Sequence, residues 1–384
     1  MGKRARIAVL PGDGIGPEVT AGAVAVLKAV EARFSHTFVF SEWLVGARAL
    51  REKAAPLPED TLAACRDADA CLLGAVGDPA YDLAPYDQRP EYGLLQLRKA
   101  LGLYANIRPA RLYRALAGAG PLKPEIARGL DLVVVRELTG GLYFGTPRSV
   151  DLAAGTAVNT LPYTRPEIER IAEVAFRLAK TRRNKVTSVD KSNVLETSRL
   201  WRAVATEIGK RHPDVTLEHQ LVDSCAMNLV LFPSAFDVLV TENLFGDILS
   251  DECGALVGSL GLLPSASLGD GPGLFEPVHG SAPQLAGRDL ANPIGAIATA
   301  AMLLGDGLSL HEEAAAVHRA IEAVLERGAR TADLAADAGR APSARGGETR
   351  AIGTREMTRL IADEIAAAAA VPAPVREAAS TPPE

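Results

Sequence analysis

Residues 6–19 read RIAVLPGDGIGPEV, and the parsing of this stretch decides the fold. The run RIAVL (6–10) has the apolar continuity of a buried strand. Three glycines follow, and from Pro17 the run PEVTAGAVAVLKAVEARF (17–34) reads as a helix with proline in its first turn. A glycine turn between strand and helix invites a dinucleotide-binding reading, but the spacing denies it. Gly12, Gly14 and Gly16 form G-x-G-x-G, whereas the Rossmann loop needs its third glycine one residue later. Pro17 stands where that glycine would let the helix close on the strand. The expectation is therefore a tight turn with positive-φ positions in an α/β fold that is not a Rossmann fold.

The same alternation continues outward. DACLLGAV (69–76), DLVVVREL (131–138), NKVTSV (184–189), VTLEHQLVD (215–223) and FDVLVTEN (236–243) read as strands. RELTGGLYFG (136–145) reads as strand, glycine-rich turn and strand. Pro166 opens a helix carrying Ile168, Ile171, Ala175 and Leu178 at helical spacing. Residues 194–210 form another, with Val194, Trp201, Val204 and Ile208 on its buried side, and an Ala-rich helix begins after Asn292. Residues 78–93 read as a long surface loop. From 366 to 384 apolar periodicity is lost, and a disordered tail is expected.

Composition limits the function classes. The 384 residues suffice for one to three domains. A net charge of −6 gives no support for nucleic acid as the main partner, although a few arginines could still hold a small anion. The longest apolar runs, such as Ile294–Leu304, are too short for a membrane span. The basic Met1–Arg6 leads into a strand and not a signal core, and Arg6 breaks the myristoylation pattern. Four cysteines (65, 71, 225 and 253) show no zinc or redox spacing, which suits a reducing compartment. These features predict a cytoplasmic protein. No Walker loop, GxSxG elbow or HExxH occurs, which leaves carboxylates, arginines, a lysine and a tyrosine as the chemistry.

The stretch NLFGDILSD (243–251) places Asp247 and Asp251 four residues apart. On a helix they lie about 40° apart on one face, with Leu249, Cys253 and Leu256 opposite. They could form the solvated side of a surface helix. The segment nevertheless follows the strand FDVLVTEN, at whose carboxyl end open α/β sheets place ligands. Two carboxylates in such a crevice call for a cation, and oxygen-only ligands suit Mg²⁺ or Mn²⁺. Asp223, closing HQLVD, is a third candidate acid.

Together with LPGDGIGPEV, GLLQLRKALGLYANIRPAR, RELTGGLYFG, SVDKSNVLE, GSLGLLPSASLG and EPVHGSAPQLAGRDLANP, these residues resemble the isocitrate/isopropylmalate dehydrogenase family of metal-dependent β-decarboxylating dehydrogenases. The resemblance runs from about Ile7 to Leu304 and more loosely to about residue 365. It implies two α/β domains sharing a mixed sheet, isopropylmalate dehydrogenase-like. The cofactor-binding domain would comprise residues 1–104 and 258–365, and the second domain 105–257 with a dimerisation arm at about 138–163.

The resemblance also implies the site. Arg98, Arg108 and Arg136 match the substrate arginines, whose fixed guanidinium forks suit a dicarboxylate. Asp223, Asp247 and Asp251 match the metal acids, with Asp223 also beside the substrate. Asp223 and Lys191 would cross a homodimer interface, so the active site is shared between subunits. Lys191 would accept the C2 hydroxyl proton, directly or through water, as hydride passes to the nicotinamide. The ion would polarise the new ketone, CO₂ would leave, and Tyr143 would return a proton.

Leu94 and Leu95, with Val194 from the partner, match the residues that carry the substrate's alkyl group, and Glu91 matches an acid near substrate and nicotinamide. The apolar pair favours 3-isopropylmalate, oxidised to 4-methyl-2-oxopentanoate in leucine biosynthesis. The alternative is another 3-substituted malate or 2-hydroxy diacid, such as tartrate, malate or homoisocitrate. VHGSAPQLAGRDLANP (278–293) matches the adenosine loop through His279, Gly280, Ser281, Ala282 and Asn292. NAD-dependent relatives carry aspartate where Gln284 stands, and NADP-dependent ones a basic residue followed by an aromatic where Gln284 and Leu285 stand. NAD is the expected cofactor, with weaker rejection of NADP.

Overall fold

The glycine turn takes the form that its spacing predicts. In the structure, a computed structural model that describes residues 2–118, 120–335 and 350–367, strand β1 (Arg4–Gly12) runs into helix α1 (Gly16–Phe34), with proline in the first turn of α1. Gly12 and Gly14 adopt φ +72° and +56°, a region closed to most side chains. Asp13 explains why the turn is so tight. Its carboxylate accepts from the amides of Ala47 (2.9 Å), Arg48 (2.9 Å) and Gly77 (3.0 Å), while Ile15 N donates to Ser281 O (2.8 Å). The turn thus clasps three other segments of chain.

A Cβ at Gly14 would stand 2.0 Å from Ser281 O. Gly14→Ala combines that collision with left-handed strain, so a loss of about 1–3 kcal/mol is expected. The urea midpoint of the variant reads it, and an unchanged midpoint would show that the clasp carries no strain.

The chain continues through β2 (Thr37–Glu42), α2 (Gly46–Lys53), α3 (Glu59–Asp67), β3 (Ala70–Ala75), α4 (Pro90–Ala100), β4 (Leu103–Arg111), α5 (Pro124–Ala127) and β5 (Asp131–Glu137). A hairpin, β6 (Ser149–Asp151) with β7 (Thr156–Val158), precedes α6 (Arg165–Lys180), β8 (Lys185–Asp190), α7 (Glu196–Arg211), β9 (Thr216–Leu221) and α8 (Val222–Leu231). Then come β10 (Val238–Thr241), α9 (Asn243–Val257), β11 (Pro264–Gly269), β12 (Gly273–Pro277), α10 (Ile294–Met302) and α11 (His311–Glu326). The described chain closes with β13 (Ala329–Arg330), α12 (Ala332–Ala335), β14 (Arg350–Ala351) and α13 (Thr354–Ala367).

Ten strands form one mixed sheet in the order β2-β1-β3-β12-β11-β4-β5-β10-β8-β9. Both wings are parallel, and the three antiparallel pairings, β12–β11, β11–β4 and β4–β5, lie at the centre. The parallel strands β1, β3, β5 and β10 are buried on both faces, which explains their unbroken apolar runs. Helices α1, α10, α11 and α13 pack together beside one wing, and α6 and α7 beside the other. This is the mixed-sheet α/β fold expected, and the turn between β1 and α1 lacks the Rossmann spacing.

Several local readings are corrected. After β5, Gly141–Tyr143 forms a 3₁₀ turn and no second strand. Tyr163 lies against this turn so closely that a Cβ on Gly140 would come within 2.6 Å of its ring. Val194 is 67% exposed and precedes α7, because its amide and that of Leu195 both bond back to Lys191 O. Asp223 sits in the first turn of α8, not at the end of a strand. The surface loop ends at Arg89, since Pro90 starts α4 and buries Gly93. Residues 366 and 367 finish α13, and the remainder of the expected tail, 368–384, lies outside the described residues.

Candidate active site

Asn106 and Arg108 on β4 lie beside Arg136 and Val134 on β5, and α9 crosses the end of this pair. Asp247 is the centre of the resulting cluster. Its Oδ1 accepts from Arg136 Nη1 (2.6 Å) and Arg108 Nη1 (3.4 Å), and its Oδ2 from the Tyr143 hydroxyl (2.6 Å). Arg108 also donates to Asn106 Oδ1 (2.6 Å) and Ser250 Oγ (2.7 Å), and stands 3.6 Å from Asp251. Arg136, 2% exposed, is held by Asn243 through the backbone carbonyl (2.9 Å from Nε) and the side-chain oxygen (2.8 Å from Nη2). Arg98 reaches the cluster's edge from α4, where it pairs with Glu276, and its Nε is buried without a partner among the described residues.

Three buried cations and two acids shape one another. Burial, then repulsion from Arg108, pushes Arg136 down to about 10, still protonated at neutral pH. Burial likewise lowers Arg108. Burial alone would raise Asp247, but Arg136 and Arg108 outweigh it and hold the carboxyl below its usual range. Asp251 shifts the other way, because burial and the charge of Asp247 exceed what Arg108 returns. Burial, then the bond to Asp247, pushes Tyr143 up to about 12, so it keeps its proton. A hard cation fits the paired carboxylate oxygens of Asp247 and Asp251, since it would offset the charge of Asp247 that helps to push Asp251 up.

The other polar pair is Lys191 and Asp223, with Nζ 2.5 Å from Oδ1. The Lys191 bond keeps Asp223 below the ordinary carboxylate range. Among the described residues of one chain no three His, Cys, Asp or Glu side chains form a metal-sized group, so Asp223 does not join Asp247 and Asp251 within a protomer.

On α4, Glu91 is exposed, Leu94 and Leu95 are half-buried, and Arg98 is buried. A Cβ at Gly77 would sit 2.9 Å from Glu91 Oε1 and 3.3 Å from Ser281 Oγ, so α4 and the 278–293 loop converge at that glycine. In the loop, His279 Nδ1 faces Gly280 O at 3.0 Å and so carries the proton, which leaves Nε2 a buried acceptor with no partner among the described residues. Burial lowers the pKa of this ring. Ala282 adopts φ +36°, Gln284 is exposed and Leu285 half-buried. The space beyond Gly280 is open, which leaves room for a ligand against the loop backbone. Asn292 is already engaged: its Nδ2 donates to Asp333 (3.0 Å) and its Oδ1 accepts from Ile294 N (3.0 Å) at the start of α10.

Four site residues escaped sequence reasoning. Asn243 and Ser250 belong to the same quoted stretch, and Asn243 lies one helical turn before Asp247, a spacing that signals a shared face. Asn106 lies two positions before Arg108, on the same face of β4, whereas Glu276 carries no local signal, since it meets Arg98 across 178 positions.

Residues 6–361 match the family described as isocitrate/isopropylmalate dehydrogenase. The chain belongs to that family. It is 60% identical over 338 residues to a 3-isopropylmalate dehydrogenase of Geobacillus kaustophilus, covering 87% of this chain and 91% of that one. It is 53% identical to a 3-isopropylmalate dehydrogenase of Anaeromyxobacter dehalogenans over 94% and 98% of the two chains. Among solved structures, an isocitrate dehydrogenase from Methylococcus capsulatus superposes with a TM-score of 0.81 at 34% identity, over 95% of this chain and 100% of that one. This family member is accordingly an oxidoreductase, and its arginine–aspartate cluster is the place to look for its chemistry.

Proposed function

We propose that the protein oxidises and decarboxylates 3-isopropylmalate to 4-methyl-2-oxopentanoate, with NAD as hydride acceptor and Mg²⁺ or Mn²⁺ bound, in leucine biosynthesis. The observation that carries this reading is α4. It places half-buried Leu94 and Leu95 one turn before Arg98, so an alkyl group and a carboxylate can be held side by side. Arg108 and Arg136 supply the remaining fixed guanidinium groups for a diacid. Relatives named 3-isopropylmalate dehydrogenase at 53–60% identity support the same substrate.

The site residues take these roles. Asp247 and Asp251, with Asp223 of the partner subunit, hold the divalent ion, which when bound supplies positive charge to stabilise the electrons released on decarboxylation. Lys191 of the partner subunit, steered by Asp223, takes the C2 hydroxyl proton, and NAD when bound would supply the acceptor for the C2 hydride. Tyr143, still protonated at neutral pH, gives its proton to the carbon that has lost CO₂. Val194 of the partner subunit adds to the alkyl pocket, and Glu91 faces the nicotinamide side.

The 278–293 loop takes the adenosine. His279, Gly280, Ser281 and Ala282 line it, Gln284 and Leu285 sit at the ribose, and Asn292 acts from behind by fixing the start of α10. Gln284 can bond a ribose hydroxyl but does not repel a 2′-phosphate. Arg288, whose Nη1 lies 3.3 Å from Gln284 O, adds a nearby cation, so discrimination against NADP is reduced.

The site is completed by a second copy of the chain. Met227, Val230, Leu231 and Phe232 on and after α8, the helix of Asp223, and Ile248 on α9, the helix of Asp247, are exposed apolar side chains that a second copy would cover. The hairpin β6–β7 adds Val150, Leu152 and Val158, also exposed, as an arm within 138–163. Residues 1–104 with 258–365 form the cofactor-binding domain and 105–257 the second. Four free, buried cysteines suit the cytoplasm.

A panel of 3-isopropylmalate, malate, tartrate and isocitrate, each with NAD or NADP and with or without EDTA, tests this reading. NADH should appear fastest with 3-isopropylmalate and vanish with EDTA. Equal turnover of another diacid would overturn the substrate, and a kcat/KM ratio near unity for the two cofactors would overturn NAD.

A further inference from the structure

β4 carries Arg108 into the arginine–aspartate cluster, but its last residue, Arg111, lies at the far end of the strand pair, opposite Asp131. Two cavities open there, one of 380 Å³ and one of 200 Å³, and both are bounded by Arg111 and Asp131. Arg111, Arg114 and Arg128 line the larger, whose walls include Leu112, Pro124 and Leu130. The acid that lines both cavities and the acid beside Arg111 are already engaged. Asp131 accepts from Arg182 at 2.8 Å, and Glu322 stands 3.7 Å from Arg111. Arg114 and Arg128 form no ion pair or side-chain hydrogen bond among the described residues.

A chain of net charge −6 thus places three arginines around one concavity, two of them unpaired among the described residues. Guanidinium forks match phosphate oxygens in pairs. Leucine and proline walls suit a flat carbon body, and the volume falls within the range of small-molecule sites, about 300–1,000 Å³. We infer that this rear cleft binds an organic phosphate of mononucleotide size, its phosphoryl group on Arg111, Arg114 and Arg128 and its body along Leu112, Pro124 and Leu130. The cleft shares no residue with the arginine–aspartate cluster or the adenosine loop, so this site is separate from both.

The test is calorimetric titration of AMP into the full-length protein with NAD at saturation, compared with Arg114→Gln/Arg128→Gln. Both side chains are exposed, so the double variant should fold, and its kcat without AMP should match the parent. The parent should bind AMP with a Kd below about 1 mM, weakened at least about tenfold in the variant. Inorganic pyrophosphate should show the same dependence with lower affinity, since it lacks the body that the apolar walls receive. Equal AMP affinity in the two proteins, or no binding up to about 10 mM, would overturn the assignment.

Discussion

Lys191→Met is expected to lower kcat for 3-isopropylmalate oxidation by about 10²–10⁴, the usual worth of a positioned proton acceptor. Methionine keeps the length and apolar stem of the side chain but cannot take a proton. It also leaves Asp223 without the partner that now lies at 2.5 Å. Two further readouts separate a proton-transfer role from structural damage. The Kd for 3-isopropylmalate should change little, because the arginines remain. Decarboxylation of the 2-oxo diacid, supplied as substrate, should persist, because that step no longer needs the hydroxyl proton removed. Unchanged NADH production would take Lys191 out of the mechanism, and loss of both partial reactions would mark it as structural.

Asp247→Asn should be nearly as damaging, for a different reason. Asp247 accepts from Arg136, Arg108 and Tyr143 at once, so its charge orders the arginines, and in the proposed site its oxygens would also hold the cation. Losing several kcal/mol of transition-state stabilisation corresponds to about 10³-fold or more in kcat. Manganese affinity should fall with it. Stability should drop by about 1–3 kcal/mol, since two buried guanidinium groups lose the negative charge of their shared acceptor. A variant with native Mn²⁺ affinity and normal turnover would exclude Asp247 from the metal site.

How much of this was legible in the sequence depends on the range of the interactions. The G-x-G-x-G spacing ruled out the dinucleotide fingerprint, and the turn proved to be a clasp built on Asp13. The buried strands announced themselves because each is covered on both faces. The pair Asp247 and Asp251 followed from helical geometry, with Leu249, Cys253 and Leu256 buried behind it as expected.

What failed was set by distant residues or by a local backbone turn that composition does not signal. Tyr163 fills the space that a second strand after RELTGG would have needed, and nothing near residue 140 signals it. Val194 has the side chain of a core residue, but the backbone bonds to Lys191 turn it outward. Glu276 meets Arg98 only through the sheet. The resemblance supplied the roles of Lys191 and Tyr143, which spacing alone could not.

The central claim is that Asp247 and Asp251 share one divalent ion with Asp223 of the partner subunit, beside a diacid held by Arg98, Arg108 and Arg136. A crystal structure of the protein with Mn²⁺ and 3-isopropylmalate tests it directly through the metal's anomalous signal. One peak per site, bounded by carboxylate oxygens of those three aspartates and by the substrate's hydroxyl and carboxylate, is the predicted result. A peak elsewhere, with the three aspartates apart and open to solvent, would contradict the account.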